Sequence, residues 1–176
     1  AGKRGGTEIP LDGLVHFIDG LYVIDLTRSS LSDRRDVYQR LFLPIRDTLW
    51  KMDGITDLAD YTREVCEQIR LLTGFERVMV YRFEANWDGE VIAESRDKAL
   101  APYLGQRFPA SDIPPQARAL YALNLTRILC DTDAVPVDIQ PAANPLTTEP
   151  LNLGFSSLRS FSPVHLEYLR NMGVRS

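Results

Sequence analysis

Residues 108–121, FPASDIPPQARALY, leave their backbone little freedom. Ile113 precedes a proline, whose ring disfavours a helical conformation at the residue before it, so Ile113 is predicted extended. Pro114 and Pro115 carry φ values already suited to a helix's first turn, where their missing N–H groups cost nothing. A helix is therefore predicted to follow, reaching about Leu123. Asp112 falls just outside its entrance, held by stiff backbone on both sides and preceded by the aromatic Phe108. Two readings are open. Ser111 or Asp112 caps the helix as an ordinary acceptor, or the acid is displayed at a rigid site for a ligand.

The chain has 176 residues, 44% of them hydrophobic and 25% charged, enough for one domain with a core and part of something else. A net charge of −4 argues against a nucleic-acid partner, which needs a basic field. No apolar run approaches the roughly 20 residues of a membrane span, and no signal peptide opens the chain, so no membrane partner is expected. Cys66 and Cys130 lie far apart in no CxxC spacing and read as free thiols in a reducing cytoplasm. His16 and His165 are the only histidines and have no zinc-type spacing, so no metal is expected.

Along the chain, residues 1–10 read as a disordered start. GLVHFIDGLYVIDL, residues 13–26, predicts two strands around an Asp19-Gly20 turn, with Leu14, His16, Leu21, Val23 and Ile24 half-buried. Residues 29–34 are turn-like. A helix is predicted from about Asp33 to Met52, bent or split by Pro44, and a second from about Asp57 to Leu72. The second helix shows Leu58, Tyr61, Val65, Ile69 and Leu72 on one face and Gly74 as its stop, with Cys66 as a small packing residue. FERVMVYRF, residues 75–83, predicts a central strand covered on both sides, with Met79, Tyr81 and Phe83 sharing one face. A tyrosine in a covered strand must place its hydroxyl on a partner, protein or ligand. Trp87-Asp88-Gly89 marks the turn into a second strand, GEVIAES.

TRILCD, residues 126–131, predicts a short strand carrying Arg127. Residues 131–155 are proline-rich and patternless, a length of connection that is either functional or disordered. An extended piece with Arg159 then leads into a helix capped by Ser162, opened by Pro163 and stopped by Gly173. His165 falls in its first turn, facing the positive end of the helix dipole, which favours a neutral ring. Tyr168, three residues on, shares its face. Two proline-stiffened helix entrances, each with a titratable group, resemble the walls of one pocket.

FPASDIPPQARALY, Arg127 and LRSFSPVHLEYLRNMGV, in that order and after FERVMVYRF and GEVIAES, resemble the chromophore-binding GAF domain of phytochromes, and most of all its bacterial branch. The likeness spans about residues 57–176. It implies an α+β fold with a GAF-type antiparallel sheet flanked by helices. Residues 31–176 would be a partial GAF domain lacking its final strands and helix, and residues 1–30 would be the C-terminal hairpin of a partial PAS domain. The loop at 131–155 would be the lasso through which an upstream segment threads.

The resemblance also implies a function. The module would bind a linear tetrapyrrole, biliverdin IXα, and respond to red and far-red light by isomerisation at the terminal D ring. Asp112, with Ile113 beside it, would organise the pyrrole nitrogens, and His165 would hydrogen-bond near the D-ring carbonyl. Tyr81, Phe108 and Tyr168 would form the aromatic cage. Arg127 and Arg159 would grip the two propionates, with Tyr121 and Ser162 assisting; such charge-assisted contacts are worth about 1.5–3 kcal/mol each. The position before the histidine, where some members carry an attachment cysteine, is Val164, so no covalent anchor is expected within this chain. The sensor itself would not be an enzyme. A homodimer through its helices and an output kinase or other signalling domain in the parent protein are further implications. A GAF domain for another ligand, such as a cyclic nucleotide, would not need both arginines or the SPVH helix. An acid–base enzyme built on Asp112 and His165 would lack a nucleophile, a metal set and a phosphate loop.

Overall fold

A computed structural model describes residues 2–4, 7–29 and 42–176, with side chains from residue 8 onward. It combines helices with antiparallel sheet. By packing, the chain divides into two compact units, residues 1–30 with 116–176 and residues 31–115.

The first unit opens with two short strands, β1 (Gly2–Arg4) and β2 (Thr7–Ile9), paired antiparallel with Gly2 opposite Ile9. The expected disordered start is thus replaced by a ladder that satisfies backbone groups along it. β3 (Leu11–Ile18) and β4 (Leu21–Arg28) form the expected hairpin, and Asp19 and Gly20 take φ of 48° and 80° at its two-residue turn. Alternation sets the two faces. His16, Leu21 and Val23 are half-buried on one of them. Ile24 points the other way and is 57% exposed, and Leu14, opposite Asp25, is 53% exposed, so neither is the half-buried residue expected. The His16 ring packs edge-on against Phe155, and both its nitrogens are buried without a hydrogen-bond partner among the described residues.

The proline-rich loop covers that hairpin in an ordered conformation. Asn144, buried, donates from Nδ2 to the Asp19 carbonyl at 3.0 Å and accepts from the Leu146 N–H at 2.8 Å. Residues 126–131 carry no strand, contrary to expectation. They have no ladder partner among the described residues, and the Arg127 side chain provides the long-range attachment instead. The unit also contains α3 (Pro115–Leu123) and α4 (Pro163–Asn171), numbered after the two helices of the second unit. Ser162 stands at the N-cap position of α4, but only its backbone carbonyl is used, accepting from Leu166 N–H at 3.0 Å. Gly173, at φ 76°, ends the helix as expected.

In the second unit, α1 (Leu43–Met52) begins with Pro44 in its first turn; the earlier part of the helix expected from Asp33 lies outside the described residues. α2 (Leu58–Thr73) is capped by the Asp57 carboxylate, which accepts from Asp60 N–H at 2.9 Å, and closed by Gly74. Its buried residues are Thr62, Cys66 and Gln68, whereas Leu58, Tyr61 and Ile69 of the expected stripe are exposed. The reason is contact: α2 lies across β5 (Arg77–Phe83) and β6 (Gly89–Arg96), where small side chains permit close approach. Burial pushes the Cys66 thiol pKa up, in keeping with a packing role.

β6, not β5, is the central strand, lying between β5 and β7 (Arg107–Phe108), and its Gly89, Val91 and Ala93 are buried. Val80 pairs with Ala93 but Tyr81 with Val91, so β6 carries one extra residue, Ile92. Such an irregularity increases local twist. Met79, Tyr81 and Phe83 alternate onto one face of β5 as expected, with Met79 37% exposed and the other two half-buried.

Candidate functional site

The second unit gathers aromatic rings at the turn end of β5 and β6. Tyr81 meets Phe83 edge-on at 5.2 Å and Phe108 at 6.1 Å, and Tyr103 meets Phe108 at 6.4 Å. Glycine at position 89 makes this possible, because a Cβ there would collide with the Tyr81 ring. β7 places Phe108 directly opposite Gly89. The chain then turns through a single 3₁₀ turn, Ala110–Asp112, closed by Asp112 N–H donating to the Pro109 carbonyl at 3.0 Å. Ile113, at φ −124° and ψ 88°, is kept out of the helical region as its proline neighbour requires, and α3 follows. The Tyr81 phenol pKa is raised, first by burial and then by the negative charges of Asp112 and Asp88. Tyr81 therefore stays protonated and able to donate over the whole neutral range. Tyr81, Phe108, Asp112 and Ile113 belong to this one unit.

The first unit holds the other candidates in a second group. The Arg127 guanidinium donates to the carbonyls of Ser156 at 3.2 Å, Arg159 at 2.6 Å and Ser160 at 3.4 Å, and lies 4.2 Å over the Phe161 ring. Phe161 stacks on His165 at 5.9 Å, and His165 on Tyr168 at 6.4 Å. Cation and rings thus make a continuous column. The Arg127 pKa is lowered by burial and by the positive charge of Arg159, with Tyr121 acting in the opposite sense. Burial also lowers the His165 pKa, so its ring is neutral at pH 7. Tyr121 and Ser162 are exposed, and Ser162 makes no capping hydrogen bond from its side chain.

Four residues that matter to this geometry were not singled out from the sequence. Phe161 links Arg127 to His165, a role its i,i+4 spacing from His165 could have suggested. Gly89 and Asp88 read only as turn residues. Asp25, 7% exposed, accepts from Ser156 Oγ at 2.7 Å, Ser157 N–H at 2.6 Å and Ser157 Oγ at 3.0 Å. Nothing local to Asp25 announces partners more than a hundred residues away. Burial works to raise its pKa, but these hydrogen bonds and the charge of His16 outweigh it and hold the carboxyl below the usual aspartate range.

No family model matches the chain. Individual proteins do. Over 172 residues it is 41% identical to cyanobacterial phytochrome B of Nostoc, covering 98% of this chain and 23% of that protein. Over 120 residues it is 52% identical to the bacteriophytochrome of Pseudomonas aeruginosa, covering 68% of this chain and 16% of the relative. Its fold matches the chromophore-binding domain of Stigmatella aurantiaca phytochrome P1 with a TM-score of 0.89 and 44% identity, covering 98% of this chain and 56% of that one. The mixed helix and antiparallel-sheet fold is thus that of phytochrome chromophore-binding domains. The chain belongs to the phytochromes, and its likeness is to their bacterial members. It spans about a quarter or less of the length of these curated relatives.

Proposed function

We propose that this chain is the light-sensing part of a bacterial phytochrome, binding biliverdin IXα and responding to red and far-red light. The observation that carries this reading is the Arg127–Arg159 pair. The Arg127 pKa is lowered first by burial and second by the positive charge of Arg159, and two cations near enough to feel one another favour an anionic guest; a tetrapyrrole has two carboxylates. Arg159 and Arg127 take the propionates, with Tyr121 and Ser162 assisting. Arg127 must loosen its hold on the Ser156 and Ser160 carbonyls to do so. Asp112 and His165 serve the pyrrole and D-ring polar groups. Tyr81, Phe108 and Tyr168 wall the ring that turns, with Ile113 beside Asp112. The bound pigment supplies light absorption and isomerisation at its D-ring double bond; the protein supplies charge, shape and exclusion of water.

The sensor itself performs no catalysis in this reading and passes its signal to an output domain, a kinase or another signalling module, in the cytoplasmic parent protein. Exposed Leu49 and Trp50 on α1 suit a homodimer contact through helices. The domain assignment, a PAS hairpin through residue 30 and GAF thereafter, belongs to the same proposal. Mixing the full-length protein with biliverdin should give a narrow red absorption band that changes on red illumination. A spectrum indistinguishable from free pigment, before and after light, removes the reading. Zinc-induced fluorescence of the denatured complex reports separately on covalent attachment.

A further inference from the structure

Asp112 ends a short turn that follows a two-residue strand. β7 is two residues long, and its ladder ends at Phe108 opposite Gly89. The 3₁₀ turn that follows has its own internal hydrogen bond, which sets its shape but not its place on the sheet. Asp88 ties the turn to the sheet. Its Oδ1 accepts from the Ala110 N–H at 2.9 Å, the first residue of that turn. Asp88 is itself held: Asn86 Nδ2 donates to its Oδ2 at 2.6 Å, its N–H donates to Asn86 Oδ1 at 3.2 Å, and its carbonyl accepts from Glu84 N–H at 2.8 Å. A carboxylate fixed in the β5–β6 turn thus grips the turn that carries Asp112. Next to it along β6 is Gly89, whose missing side chain makes room for Tyr81.

We propose that Asp88 is a positioning residue of the photochemical site: its carboxylate locks the Ala110–Asp112 turn to the head of β6 and so fixes Asp112 relative to Tyr81. This deepens the reading above and rests on it. Asp88 need not touch the pigment. It acts through Asp112, by geometry, and its charge also bears on the Tyr81 hydroxyl.

Two variants of the full-length protein separate clamp from bulk stability. Asp88→Ala removes the acceptor. Asp88→Asn keeps an oxygen for the Ala110 N–H, giving up the charge. Amide exchange at Ala110 in the pigment-free protein should quicken about tenfold in Asp88→Ala, the loss expected for a hydrogen bond to a charged acceptor, and stay near wild type in Asp88→Asn. With biliverdin as the probe, photoproduct yield under red light should fall severalfold in Asp88→Ala and be largely restored in Asp88→Asn. Unchanged Ala110 exchange in Asp88→Ala overturns the clamp. Wild-type photoproduct yield in Asp88→Ala, or equal damage from both variants, overturns the positioning role. If the wild-type protein takes up no biliverdin, the reading of function fails, while the exchange contrast still judges the clamp.

Discussion

Asp25 on β4 and Asp88 at the β5–β6 turn are both hairpin carboxylates that fasten a distant loop, one in each unit. Asp25 is 7% exposed and accepts three hydrogen bonds from Ser156 and Ser157, the residues that lead into Arg159. Asp88 is half-buried and accepts from one remote backbone N–H and one neighbouring amide. A charge taken that far out of water is tolerable only while its acceptors are filled, so Asp25 is committed to stability. Asp88 keeps partial access to water and can be lost at small cost to the fold. The same device therefore anchors structure in one unit and, in our proposal, aims Asp112 in the other. Arg127 extends the first pattern, since its cation braces three carbonyls of the loop that Asp25 holds.

The largest effect should come from Asp25→Ala. It strips partners from two serine hydroxyls and a backbone N–H, and should cost about 3 kcal/mol, read as a fall in denaturant midpoint. A loss under about 0.5 kcal/mol, the scale of an ordinary surface change, would put Asp25 on a level with Asp88 and erase the contrast. The pH dependence has a definite sign. The folded carboxyl titrates below the ordinary aspartate value, so its contribution is complete above that value, near pH 4, and disappears as pH falls through the lower folded one. Acid unfolding of the wild type should therefore steepen below about pH 4. Asp25→Asn should flatten that limb.

A smaller loss is expected at Arg127. Arg127→Lys keeps the charge but cannot fork to the Ser156, Arg159 and Ser160 carbonyls together, and should cost about 1–2 kcal/mol. Faster amide exchange confined to residues 156–161 would locate the loss there. If Arg127→Lys left exchange unchanged yet abolished biliverdin uptake, the guanidinium would be a ligand group first and a brace second.

What could be read in the sequence was local. Asp19-Gly20, Gly74, Pro163 and Gly173 each impose a backbone conformation on their own neighbours, and the hairpin and helix limits follow. The stiff approach to α3 around Ile113 was legible for the same reason. Long-range choices were not. Which face of α2 is buried depends on the sheet beneath it, and Cys66 won over Tyr61 because small residues let the helix approach. Residues 126–131 have strand-like composition, yet a strand needs a ladder partner, and the Arg127 side chain does that joining instead. At the site, Asp112, His165 and the arginines stood out by motif. Asp25 and Phe161 did not, since their roles come from partners brought up by the fold.

The smallest effect tests the other half of the comparison. Burial and the charges of Asp112 and Asp88 raise the Tyr81 pKa, so folding holds its proton more tightly than the unfolded chain does. The sign follows from linkage: this contribution is whole below the unfolded tyrosine value, about pH 10, and is lost as pH rises through the folded one. An alkaline titration of the phenol absorbance, with Tyr81→Phe subtracted to isolate its signal, should show Tyr81 ionising above the ordinary tyrosine value. Asp88→Asn removes one of the two charges and should bring its midpoint back toward the ordinary value while leaving the denaturant midpoint almost unmoved. If the midpoint stayed put, burial and Asp112 would account for the shift alone. If instead stability dropped as far as in Asp25→Ala, both carboxylates would be anchors, and the division of labour between the two hairpins would not exist.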